Sequence, residues 1–97
     1  MDKFVIIIPD STPAHAKAIT DLFLPHRASW WHWSADAWLL SFQTEHPTAI
    51  SLRDEIAGVI PGVAFVVFRA DSGGEWGAWV TFDRLRAWRN WFTRFWV

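Results

Sequence analysis

The residues able to do chemistry are few and lie in separate parts of the chain. Asp10 is followed by Ser11, Thr12 and Pro13. Side-chain oxygens in front of a helix accept from the free N–H groups of its first turn, and Pro fits that turn. Asp10 therefore reads first as a helix cap, with no second acid close by to help it activate water. The four histidines, His15, His26, His32 and His46, show neither the i, i+4 nor the H-x-H spacing of a zinc site, and there is no Cys to assist them. His32 alternates with Trp31 and Trp33, which makes it part of an aromatic face. No nucleophile elbow is present, and Gly73-Gly74 lacks the Lys and spacing of a phosphate loop. Arg53, Asp54 and Glu55 fall together on what reads as the solvated side of a helix.

The densest group is at the end of the chain. Arg84, Arg86, Arg89 and Arg94 alternate with Trp88, Trp91, Phe92 and Trp96, and no acid accompanies them. Arg with Trp suits base stacking and phosphate contact. The same pair is enriched at protein–protein hot spots. Arg84, Arg86, Arg89, Trp91, Arg94 and Trp96 are thus the candidate binding residues, with a protein partner expected ahead of nucleic acid. The plain alternative is a helix that buries its stripe and leaves its Arg solvated. Four charges on one short helix do not suit a membrane surface.

These groups must be positioned by a regular set of elements. Phe4–Ile8 is a β-branched and aromatic run stopped by Pro9, hence a buried strand. Ala16, Ile19, Leu22 and Phe23 recur at helical spacing, predicting a helix over about Pro13–Leu24. Ser29–Trp33 and Ala37–Phe42, separated by a short gap, read as a hairpin. Pro47 and Thr48 start a second helix with Ala49, Leu52, Ile56 and Val59 on its stripe, and Gly58, Pro61 and Gly62 close it. Val63–Phe68 is a further strand. Asp71–Gly74 reads as a turn and Trp76–Phe82 as a fifth strand or ragged edge. In Asp83–Trp96, Leu85, Trp88, Phe92 and Phe95 share one helical face.

The order β-α-β-β-α-β predicts one α+β domain over residues 1–97. It is a ferredoxin-like plait with an antiparallel sheet, both helices on one face and a C-terminal extension. Composition agrees: 97 residues, 52% hydrophobic and 20% charged, are enough for a single core. Nine Trp and eight Phe with no Tyr demand burial. Trp30, Trp31 and Trp33, then Trp38, Leu39, Leu40 and Phe42, occupy both strand parities, so both sheet faces are expected to be covered. Either the tail or a second copy covers the face without helices, with Trp31, Trp33, Trp38, Trp76 and Trp79 as packing residues. A homodimer is expected on that ground. No apolar run approaches the roughly 20 residues of a membrane span, and a cytoplasmic location is expected. The net charge of −1 hides an imbalance: residues 1–60 carry four bases and seven acids, residues 61–97 five bases and three acids.

A family resemblance follows the same order. Ile8-Pro9-Asp10, Trp30-Trp31-His32, Trp38-Leu39-Leu40, Leu52-Arg53-Asp54-Glu55-Ile56, Phe65-Val66-Val67 and Trp76-Gly77-Ala78-Trp79 resemble the run of motifs in SinR-like small ferredoxin-fold proteins. These are related in fold to CRISPR-associated protein two and virulence-associated protein D. The resemblance implies a metal-dependent nuclease in which Asp10 of each subunit holds a magnesium or manganese ion across a dimer axis. Pro9 stands where that family more often has Tyr, and the tail is richer in Arg and Trp. Against it stand two non-enzymatic expectations: a binding or regulatory protein tied to a defence system or mobile element, and an inhibitor of a larger nucleic-acid enzyme.

Overall fold

The computed structural model of the chain describes residues 2–26, 28–34, 36–70 and 85–96, apart from the side chains of Trp33 and Leu85. The elements are β1 (Asp2–Ile7), α1 (Pro13–Phe23) with a 3-10 turn at Leu24–His26, β2 (Ala28–Ser34), β3 (Ala37–Phe42), α2 (Ala49–Val59), β4 (Val66–Ala70) and α3 (Leu85–Phe95). The strands form one antiparallel sheet in the order β2-β3-β1-β4. Each helical crossover therefore skips one strand: α1 links β1 to β2 with β3 between them, and α2 links β3 to β4 with β1 between them. This is the ferredoxin-like plait, with α3 added after it.

Both helices begin at a threonine. Thr12 Oγ1 accepts from the His15 N–H, and His15 Nδ1 accepts from the Thr12 N–H, each at 3.2 Å. Thr48 and Ser51 make the same reciprocal pair at 3.0 Å. Two free donors are satisfied at each start. Thr12, not Asp10, is thus the cap of α1.

Alternation along the strands sorts the side chains onto two faces. Phe4, Ile6 and Ile8 from the β1 side, with Trp38, Leu40 and Phe42 of β3, meet Ile19 and Phe23 of α1 and Leu52 and Ile56 of α2. All are buried, and Phe42 stands edge-on to both Phe4 and Phe23. Each large side chain so buried contributes about 1.5–3 kcal/mol. The other parity, Val5, Trp31 and Leu39, packs under α3. The double parity of tryptophans in β2 is thereby explained: Trp30 lies against the first core and Trp31 against the second.

Two boundaries differ from the sequence expectation. β1 starts at Asp2, because Asp2 and Lys3 pair with Phe42 and Ser41 of β3. β4 runs Val66–Ala70 instead of Val63–Phe68. Gly62, at φ 78°, turns the chain after α2, and the Val63 N–H bonds back to the Ile60 carbonyl. Residues 63–65 then return the chain to the sheet, and pairing continues to Ala70 opposite Lys3. The expected turn at Asp71–Gly74 and fifth strand at Trp76–Phe82 lie outside the described residues.

Candidate functional site

α3 places Trp88, Phe92 and Trp96 at i, i+4 and i+8, one stripe of a helix. They are 6%, 6% and 7% exposed. Trp31 of β2 meets this stripe from the sheet, its ring centroid 5.6 Å from that of Trp88 and 6.2 Å from that of Trp91. Trp88 and Phe92 are closer still, at 4.4 Å. Lys3 of β1 holds the other end, donating from Nζ to the Trp96 carbonyl at 2.9 Å and lying 5.5 Å from the Trp96 ring. A cation there satisfies a terminal carbonyl and complements the helix dipole. The helix is docked by rings along its length and by a charge at its end.

The opposite side of α3 presents Arg86, Arg89, Asn90, Thr93 and Arg94, all exposed. The Thr93 hydroxyl donates to the Arg89 carbonyl one turn back, and the Arg94 guanidinium lies 5.1 Å from the Phe95 ring. Lys17, Arg53 and Arg69 have acid partners, Asp21 at 2.6 Å, Asp54 at 2.9 Å and Asp2 at 2.9 Å, while Lys3 is bound to the Trp96 carbonyl. Among the described residues, no carboxylate pairs with Arg86, Arg89 or Arg94.

Sequence reasoning placed Arg86, Arg89 and Arg94 on the outside, where they are. It also counted Trp96 among the binding residues, and that ring is buried in the second core. Its spacing from Trp88 and Phe92 is the signal that places it there. Trp91 is half-buried between the two sides. Arg84, Trp76 and Trp79 lie outside the described residues, as does the side chain of Trp33. Trp31 packs against the α3 stripe on the sheet face. Trp38 lies on the opposite face, in the core under α1 and α2, with His32 stacked on it at 3.8 Å.

Asp10 sits in an exposed turn at φ 59°, a left-handed conformation that Asp tolerates better than most residues. Asp36, which the sequence did not single out, fastens this turn. Its Oδ1 accepts from the Ser11 N–H at 3.3 Å and its carbonyl from the Ile8 N–H at 2.7 Å. Among the described residues there is no group of three His, Cys, Asp or Glu side chains able to hold a metal ion. None of their helices is long and apolar enough to cross a membrane.

Two polar groups gather where the β3–α2 connection passes the start of β1. Asp2 accepts from Arg69 at 2.9 Å and lies 2.8 Å from His46 Nδ1, while Arg69 also donates to the Pro47 carbonyl at 3.0 Å. The His46 hydrogen bond, then the Arg69 pair, hold the Asp2 carboxyl below the ordinary aspartate value. His26 lies 3.0 Å from Glu45 and 3.8 Å from Glu55. Every member joins different elements, which suits a structural tie between them.

No family model matches this chain, and no curated protein matches it; the resemblance drawn from the Trp-Trp-His and Leu-Arg-Asp runs stands on those residues alone.

Proposed function

We propose that this protein is a non-enzymatic binding or regulatory module whose working surface is the outward face of α3, and that an anionic partner docks there. One observation carries the reading. Arg86, Arg89 and Arg94 are exposed and without acid partners among the described residues, on a helix whose other side is fixed to the sheet by Trp88, Phe92 and Trp96. A rigid helix presenting unneutralised guanidinium groups is preorganised to bind, because little conformational freedom remains to be lost. The test is the triple variant Arg86→Glu, Arg89→Glu, Arg94→Glu, titrated against labelled nucleic acids and acidic peptides beside the wild type. Loss of binding with unchanged far-UV circular dichroism supports the reading; binding that survives charge reversal overturns it. Manganese-dependent cleavage of RNA or duplex DNA that vanishes in Asp10→Ala would instead favour the nuclease suggested by the resemblance.

Self-association is a separate proposal on a smaller surface than the sequence suggested, since α3 covers part of the sheet face first offered to a second copy. It rests on Val66 and Phe68, 48% and 46% exposed on the edge strand β4. Light scattering that returns a one-chain mass at micromolar and higher concentrations would remove it.

A further inference from the structure

Granted α3 as the working surface, we infer that its partner is duplex DNA, read in the major groove. Arg86, Arg89, Asn90, Thr93 and Arg94 stand at i, i+3, i+4, i+7 and i+8, so they form one continuous face of the helix. That face holds no acid and no large apolar side chain. Its residue types are those that read base edges: Arg bonds guanine O6 and N7, Asn bonds adenine N6 and N7, and Thr offers a methyl and an acceptor. Thr93 already donates its hydroxyl proton to the Arg89 carbonyl, leaving those two for a base or phosphate.

The alternatives fit less well. A protein interface is anchored by aromatic or aliphatic residues in its centre, but Trp88, Phe92 and Trp96 are turned into the protein's own core. Single-stranded nucleic acid needs exposed ring faces for stacking. Trp91 and Phe95 are half-buried and already lie against neighbouring rings, 5.8 Å from each other and, for Trp91, 6.2 Å from Trp31. An RNA duplex offers a major groove too deep and narrow for side chains to read. The B-DNA major groove, about 12 Å wide, admits one helix. Eleven residues of α3 span about 16 Å, which is about five base pairs at about 3.4 Å each.

The placement of charge supports the same partner. α3 is the outermost layer on its side of the sheet among the described residues, so no second helix shields its outer face. Asp21 of α1 and Asp54 and Glu55 of α2 belong to the layer on the opposite face, and each is already near a base or an imidazole. Those three acids therefore sit behind the sheet from the point of view of DNA approaching α3.

The test uses the full chain with four labelled probes at 50 mM and 200 mM salt: a library of random 20-base-pair DNA duplexes, its single strands, an RNA duplex of equal length and a Glu-rich helical peptide. The expected result is preference for duplex DNA and enrichment of a short motif. Substituting 7-deazaguanine, which removes the N7 acceptor from the major groove, should weaken binding. Arg89→Ala and Asn90→Ala should each weaken the enriched duplex about ten- to a hundredfold with unchanged circular dichroism. Equal affinity for all three nucleic acids with no deazaguanine effect overturns major-groove reading. Tighter, α3-dependent binding of the peptide overturns DNA as the partner while leaving α3 as the working surface. Binding of no probe, or binding indifferent to the Arg variants, overturns both.

Discussion

Trp88 and Arg86 are two positions apart, on opposite sides of one helix, and they should respond to truncation in opposite ways. Trp88 is buried against Trp31 and Phe92, so Trp88→Ala should destabilise the domain by about 3–5 kcal/mol, as large core truncations do. Arg86 is exposed, so Arg86→Ala should stay within about 0.5 kcal/mol of wild type. Denaturant unfolding of both variants measures the contrast. Asp2 gives a pH-dependent counterpart. Its carboxyl is held below the ordinary aspartate value near 3.8 by His46 and Arg69, so its contribution is present above that value and is lost as pH falls through the lower folded one. Asp2→Asn should therefore melt earlier than wild type at pH 7, and the two should converge in strong acid. At this scale the sequence was legible where a side chain's role follows from its period, as for Trp88, Phe92 and the outward Arg. It was misleading where one residue type has two uses. Trp96 suits a hot spot by its type, but its spacing from Trp88 and Phe92 puts it on the buried stripe. Asp10 suits a cap, yet the chain takes a left-handed turn there and leaves the capping to Thr12.

The elements themselves were easier to read than their ends. Apolar periodicity and Pro–Thr starts identify α1 and α2 because capping and burial are both written locally. The limits of β1 and β4 depend on partners far away in sequence, Ser41 and Phe42 for one and Lys3 for the other, so no local pattern marks them. The element with the largest consequence is α3. A chain ending before Leu85 would uncover Val5, Trp31 and Leu39, which now pack under it. That truncated protein should bind a hydrophobic dye, melt at lower temperature and tend to aggregate, as exposed contiguous apolar patches do. A truncated chain that stays monomeric with an unchanged melting temperature would mean that α3 adds nothing to the fold.

For the molecule as a whole, the β-α-β-β-α-β order was enough to specify the plait, since right-handed crossovers through a central hairpin leave few other ways to build one sheet. What covers its second face was not legible, because a tail helix and a second copy bury the same surface and satisfy the same composition. The same holds for the charge imbalance between the two halves of the chain. It separates an acidic half from a basic one, but only the three layers, with α1 and α2 in front of the sheet and α3 behind it, put Arg86, Arg89 and Arg94 on the far side from Asp21, Asp54 and Glu55.

The bond from Lys3 to the Trp96 carbonyl has a topological consequence. It brings the first strand's start and the last helix's end to within a hydrogen bond of each other, although 93 positions separate them along the chain. The covalent path could therefore be rerouted. Joining Trp96 to Asp2 through a few glycines and cutting the exposed turn at Gly62 should give a circular permutant of the described fold that refolds to the same sheet, because breaks at exposed turns are the ones that chains accept. Matching near-ultraviolet circular dichroism, which reports the packing of the tryptophans, would show that the order of synthesis is dispensable; a molten permutant would show that the Lys3 tie depends on an intact connection between α2 and β4.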